Sequence, residues 1–428
     1  MNDVIITLLF LFFAVVMFAL EKIPLTLTSM IVCTGLILTG VLTPAQGFAG
    51  FVSPTVILFV GMFIVGGALF ETGMASNIGS IIAKLKFVKT ERQLIIVVMV
   101  LSAMMSLFLS NTGTAAVLIP IIAGVSVQTG VPRSKLFIPM AFAVTMGGFI
   151  SLIGSPPNMI AHAALENATG RGFGFFELGL IGIPITVVGI IYFALIGYKF
   201  LPNRAPQGDT GEALQQAVDY SQVPAWKRFL SLGILLGTVT IMIFEARIGI
   251  PLHVASSIGA LLLVLTGVIT EKQAFKAIDL KVVFLFGGML ALAAALETSG
   301  TGIVIAQAVI NLLGEESSPF LLLLVILLLS ASLTQFMSST ATAALVVPIC
   351  LSIAQQMEAD PRGVLVAAIA GVTMSFVTPI ATPPNVMILS GGGYKFKDFV
   401  KAGLPLALVG IIVSLLLIPI LFPLFPKN

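Results

Sequence analysis

Charge is scarce in this chain. Lys, Arg, Asp and Glu make up only 9% of 428 residues, and 58% are hydrophobic. That balance lies far outside the range of a soluble globular domain and fits a polytopic membrane protein, for which no nucleic-acid partner is expected. Histidine and cysteine are nearly absent, with two of each. Cys33 and Cys350 sit in apolar stretches with no disulfide or metal-ligand spacing, and both read as buried thiols. With no nucleophile–base pair and no metal-ligand cluster in view, an enzyme is not the expectation. The first twenty residues, "MNDVIITLLFLFFAVVMFAL", lack a basic leader region and a small-residue cleavage site, so they read as a retained span.

Apolar stretches long enough to cross a bilayer recur along the chain. The expected spans are 3–20, 24–42 and 54–75, a hairpin at 93–128, then 136–165 and 177–199. Beyond a polar segment at 201–228 come 229–245, 250–269, 282–300, a second hairpin at 319–357, then 364–390 and 402–425. The second half echoes the first. "IPLTLTSMIVCTGLILTGVLT" ending at Thr43 matches "IPLHVASSIGALLLVLTGVIT" ending at Thr270, and "GSPPNMI" from Gly154 matches "ATPPNVM" from Ala381. The offset is constant to within two residues, which marks a duplication. Residues 1–200 form the first repeat, 201–228 a cytoplasmic linker and 229–428 the second repeat. Five spans plus a re-entrant hairpin make an odd number of crossings, so the repeats have inverted topology, as in many secondary transporters.

The few charges orient the protein. With both termini outside, 17 of the 21 basic residues fall on the cytoplasmic side, leaving only Arg171, Arg247, Arg362 and Lys427 outside. The basic run 84–93 reads equally as a surface-lying amphipathic helix or as a loop. The Asn167–Thr169 glycosylation pattern reads as a chance match.

The polar exceptions to the apolar pattern mark the site. "SNTGTAAVLIP" from Ser110 and "SSTATAALVVP" from Ser338 place small polar residues where hairpin tips must turn inside the membrane. Irregular backbone is tolerated there only when it is buried in protein or lines a wet cavity. A half-helix is expected after each tip, its N-terminus carrying partial positive charge and free N–H groups. Pro156–Pro157 and Pro383–Pro384 break a further span in each half. Strings 101–120, 145–160, 330–348 and 375–391 hold no charged residue. Their oxygens suit a hard cation such as Na⁺, and their N–H and hydroxyl groups suit an oxyanion. A proton antiporter would want a buried acid, and these strings offer none. Glu71 and Glu297, at matching positions, read as helix-end residues, and His162 and His253 read as structural.

The paired S-N-T and P-P-N motifs resemble the divalent anion:sodium symporter family, the INDY-type di- and tricarboxylate and sulfate transporters, over nearly the whole chain. The resemblance implies a homodimer in the plasma (inner) membrane, with a scaffold domain and a mobile transport domain working as an elevator. It also implies sodium-coupled uptake of dianions such as succinate. Carried over by motif, one sodium site comprises Ser106, Ser110, Asn111 and Gly154, and the other Thr334, Ser338, Ser339 and Ala381. Substrate contacts would be Asn111, Thr112, Ser155, Pro156, Ser339, Thr340, Thr382 and Pro383. Two departures stand out. Ser339 occupies a position where the family motif usually has Asn, and the family's extra N-terminal span is lacking. A sodium-independent dicarboxylate exchanger of the same fold is the alternative, with a channel or cation/proton antiporter behind it.

The orientation is directly testable. With Cys33 and Cys350 replaced, a cysteine at Gly208 should react only with reagents that reach the cytoplasm, and one at Asn428 only with external reagents. The reverse labelling pattern would overturn the orientation.

Overall fold

The computed structural model describes residues 2–20, 22–79, 90–204, 220, 222–313 and 318–425. Among these residues every regular element is helical. The first half gives α1 (Asp3–Leu20), α2 (Leu25–Leu38), α3 (Pro44–Ala49), α4 (Pro54–Glu71) and α5 (Met74–Gly79). The first hairpin follows as α6 (Glu91–Ser106) and α7 (Asn111–Thr129), then α8 (Phe137–Gly148), α9 (Pro156–Thr169) and α10 (Gly179–Leu195). The second half opens with α11 (Ala225–Ile243), the four-residue α12 (Glu245–Ile248), α13 (Leu252–Leu265), α14 (Glu271–Ala277), α15 (Leu280–Thr298) and α16 (Thr301–Leu313). It closes with a hairpin of α17 (Pro319–Leu333) and α18 (Ser339–Gln356), then α19 (Pro361–Thr373), α20 (Pro383–Gly391) and α21 (Phe396–Leu421). Among the described residues, seven helices are long and apolar enough to cross a membrane, and five shorter apolar helices accompany them. The chain is a multi-pass membrane protein. Phe12, Leu195, Leu265 and Ile420 stand exposed on α1, α10, α13 and α21, as side chains facing lipid would.

Local chemistry explains where the helices start. Ser or Thr caps α3, α4, α6, α7, α14, α17 and α18. Thr43 and Thr270, at matching places, each form a capping box, with Gln46 and Gln273. Proline opens α9 and α20, where its missing N–H costs nothing. The residue before each proline is therefore extended, with φ −143° at Ser155 and φ −141° at Thr382.

Several expectations shift. The breaks lie upstream of the prolines, over 149–155 and 374–382, because proline belongs to the first turn of a helix and not to the gap before it. The prolines also carry no N–H, so α9 and α20 present fewer donors at their N-termini than the half-helix picture supposes. The second hairpin arms are not half-helices. Nothing stops α7 before Gly130, at φ 73°, and Pro120 and Pro348 are absorbed within α7 and α18. With 19 and 18 residues, these helices run to about 27–29 Å at 1.5 Å per residue. Within the segment expected as a linker, 201–228, α11 already begins at Ala225. Most of it, 205–219 and 221, lies outside the described residues, as do 80–89, which hold 84–89 of the basic run, and the last three residues. Thr90 caps α6, so the end of that run is a helix start. Cys33 and Cys350 are buried and free, as expected.

The halves grip each other through close helix crossings. A Cβ on Gly61 of α4 would meet Ser256 Oγ of α13 at 2.6 Å, and a Cβ on Gly288 of α15 would meet the Ser29 carbonyl oxygen of α2 at 2.7 Å. Each glycine lets one helix of one half seat against a helix of the other. Gly288→Ala should therefore force α2 and α15 apart and cost about 1–3 kcal/mol. A lower unfolding temperature in detergent, with unchanged expression of the wild type run alongside, is the expected outcome.

Candidate functional site

The two hairpin tips and the two breaks meet at one cavity of about 390 Å³. Its lining includes all eight substrate residues expected from the motifs, namely Asn111, Thr112, Ser155, Pro156, Ser339, Thr340, Thr382 and Pro383. The tips turn because Ser110 and Ser338 cap the helices that follow. Their hydroxyls accept from the N–H of Gly113 at 3.3 Å and of Ala341 at 3.2 Å. Among the described residues, the N–H groups of Asn111, Thr112 and Thr340 have no protein partner, whereas that of Ser339 donates to the Ala381 carbonyl at 3.0 Å. Three unfilled donors at two helix N-termini thus border one cavity. That arrangement favours an anion.

Beside the first tip lies a cluster of oxygens. One end of the Asn111 carboxamide sits 2.6 Å from Ser106 Oγ, 3.0 Å from the Val144 carbonyl oxygen and 3.1 Å from the Gly154 carbonyl oxygen. Two arrangements satisfy this geometry. Either the amide nitrogen turns inward and donates to the carbonyls, or the amide oxygen turns inward around a cation. Gly148 makes the approach possible, since a Cβ there would lie 2.1 Å from Asn111 Oδ1. Ser106, Asn111 and Gly154 of the first expected sodium site are therefore brought together, with Ser110 as the cap beside them.

The second tip is built alike but is not equivalent. Ser339 reaches Ala381 through its backbone N–H and not through a side-chain amide. The hydroxyls of Thr334 and Thr382 are buried without a partner. A buried hydroxyl left unpaired is costly, and these two are oxygens that a cation or water could engage. Ser338 again serves as the cap.

The opposite wall was not legible in the motifs. It comes from α4, through Phe59, Met62, Gly66, Gly67 and Phe70, and from the α14–α15 junction, through Lys276 and Asp279. Glycines in α4 were the available signal. Gly67 faces Ala277, and a Cβ on Gly113 would meet the Phe70 ring at 2.5 Å. The charge-free strings hold true to expectation, but the cavity borrows Glu71, Lys276 and Asp279 from elsewhere. Glu71 ends α4 and accepts from Gln273 Nε2 at 2.8 Å, which is the helix-end role expected of it. Burial, and then the Glu71 carboxylate, push the nearby Tyr220 phenol up. Glu297 lies in the last turn of α15 and does not border this cavity. His162 is buried in α9 with Nδ1 at 3.1 Å from the Phe173 carbonyl oxygen, a structural placement. It and His253 line a separate cavity of about 430 Å³ with Glu166, Glu177 and Glu245.

Comparison with known proteins agrees with this architecture. The chain matches the family described as "Citrate transporter" (CitMHS) over residues 15–369 and 342–428. An uncharacterized transporter of Haemophilus influenzae is 29% identical, covering 94% of this chain and 88% of the relative. The sodium-dependent dicarboxylate transporter SdcS of Staphylococcus aureus is 26% identical, covering 94% and 83%. Among solved structures, the YdaH transporter of Alcanivorax borkumensis superposes with a TM-score of 0.65 at 15% identity over the full length of both chains. MtrF of Neisseria gonorrhoeae, described with a class of antimetabolite efflux pumps, gives 0.61 at 15% identity, covering 90% and 83%. These two likenesses show the fold.

Asn111 is the residue whose two ends serve both features of the site. Asn111→Ala should abolish substrate-dependent activity while leaving a folded protein of unchanged chromatographic behaviour. Wild-type-like activity in that variant would remove Asn111 from the site.

Proposed function

Because the chain belongs to the citrate transporter family, and is thus a membrane transporter and not an enzyme, we propose that it carries small dianions such as succinate together with sodium. One observation supports this most. Three unpartnered N–H groups of two helix N-termini border the same cavity that the Asn111 oxygen cluster adjoins. The motif strings supply no lysine or arginine, and Lys276 enters the cavity lining together with the acids Glu71 and Asp279, so helix dipoles and co-bound cations are the charge left to offset a dianion. Sodium at the oxygen clusters would provide that charge, and a relative named as a sodium-dependent dicarboxylate transporter fits the pairing.

The site residues then divide by chemistry. Asn111, Thr112, Ser155, Pro156, Ser339, Thr340, Thr382 and Pro383 contact the dianion. Ser106, Ser110, Asn111 and Gly154 hold one sodium ion, and Thr334, Ser338, Ser339 and Ala381 the other. Contacts that recur at a spacing of 227 residues support the reading of two repeats joined by a linker, here in inverted topology. The hairpins and broken helices form the mobile transport domain, which slides as an elevator against the glycine-bearing face of α4. The protein works as a homodimer in the plasma membrane with both termini outside. In that orientation Lys276, which lines the cavity, lies on the cytoplasmic side.

Ser339 supports a second reading. A serine hydroxyl is shorter than a carboxamide and offers fewer bonds, so the second tip holds its ion or substrate less tightly than the first. Taken further, the serine marks a sodium-independent exchanger. Proteoliposomes decide between the two. A sodium-coupled carrier should take up labelled succinate only with an inward sodium gradient. Ser339→Asn should then raise apparent sodium affinity several-fold, as a gained bond of about 1 kcal/mol would. Rapid counterflow of dianion with no sodium on either side, unchanged by adding sodium, would establish the exchanger instead.

A further inference from the structure

The asparagines of the two P-P-N motifs are assigned no contact to ion or substrate, yet both are fully buried. Their bonding is the same in both halves. Asn158 Nδ2 donates to the Gly148 carbonyl at 2.8 Å and to the Ser151 carbonyl at 2.7 Å. Asn385 Nδ2 donates to the Ser375 carbonyl at 3.0 Å and to the Thr378 carbonyl at 3.1 Å. Each carboxamide thus reaches back over its own break and ties together two carbonyls of the non-helical stretch. Oδ1 of both residues is buried with no partner.

The tie continues into the hairpin. Ser151 Oγ donates to the Leu107 carbonyl at 2.5 Å and accepts from Gly154 N–H at 3.1 Å. Thr378 Oγ1 donates to the Gln335 carbonyl at 2.8 Å. Each asparagine therefore holds a residue that in turn holds the hairpin turn. A carbonyl already engaged by an N–H is a poorer partner for a cation. Occupying Gly148 and Ser151 leaves the carbonyls of Val144 and Gly154 as those that face Asn111.

We propose that Asn158 and Asn385 are positioning residues for the two cation sites, each fixing which carbonyls of its broken helix are presented to sodium. This rests on the sodium-coupled reading above. It assigns the asparagines neither to the ion's ligands nor to the substrate's. The effect passes through Gly154 in one half and, in the other, through Ala381, whose carbonyl already accepts from the Ser339 N–H and keeps one lone pair for the ion. The unpartnered Oδ1 atoms accompany this role: an asparagine that spends both donors on the break leaves its acceptor without a donor.

The test uses the full-length protein in two assays. One is thermal stabilisation of purified protein by sodium chloride against choline chloride, and the other is sodium activation of succinate uptake in proteoliposomes. Asn158→Leu and Asn385→Leu keep the volume and remove the donors. Each should raise the sodium concentration for half-maximal effect about fivefold or more in both assays. The succinate KM at saturating sodium should stay within about twofold of wild type. Should the leucine variants fail to fold, Ser151→Ala and Thr378→Val loosen the same tie more gently and should shift sodium in the same direction by about two- to threefold. Unchanged sodium dependence with only a lower maximal rate or melting temperature would make the asparagines mere structural braces and overturn the inference. A wild type indifferent to sodium in both assays would instead overturn the coupled reading itself, and this inference with it.

Discussion

Every backbone N–H and C=O inside a membrane must find a partner within the protein, and the architecture follows from the places where a helix stops providing one. Two broken helices and two hairpin tips leave such groups loose. Most are retaken locally, by Ser110 and Ser338 at the tips and by Asn158 and Asn385 at the breaks. Among the described residues, several that remain unfilled lie together. The free N–H groups of Asn111, Thr112 and Thr340 border a single cavity, and spare oxygens gather beside it.

The absence of fixed charge in the motif strings shapes the same site. A lysine buried there would bind a dianion, but it would also hold it and would itself need a counter-ion when the site is empty. On the proposed reading, helix N-termini and neutral oxygens give weaker, adjustable attraction, and mobile cations supply the rest. The formal charges that do border the cavity, Glu71, Lys276 and Asp279, come from the end of α4 and the α14–α15 junction, on the wall opposite the tips.

Packing sets the limits within which this can operate. Glycines let helices of the two halves touch at Gly61 with Ser256 and at Gly288 with Ser29. The same device recurs between α4 and the first tip, where Gly113 accepts the Phe70 ring. The two tips nevertheless differ. Asn111 spans to Ser106, Val144 and Gly154 with its side chain, while Ser339 meets Ala381 through its backbone alone.

Much was determined by the sequence alone, because membrane helices announce themselves by composition and breaks by proline and small polar residues. Membrane class, both tips and the eight motif residues that line the cavity could be read from local patterns, since each is a property of a short stretch. Helix ends were less legible. The motif suggested half-helices after the tips, but Pro120 and Pro348 are tolerated inside α7 and α18, and only Gly130 and its surroundings decide where α7 stops. The wall from α4, the borrowed charges and the carbonyls of Val144 and Gly148 were invisible beforehand. Carbonyls carry no side-chain signature, and an apolar helix face looks the same whether it meets lipid, another helix or a cavity. The tertiary structure alone decided these, because which backbone oxygens stay unpaired depends on how far apart two breaks and two tips come to rest.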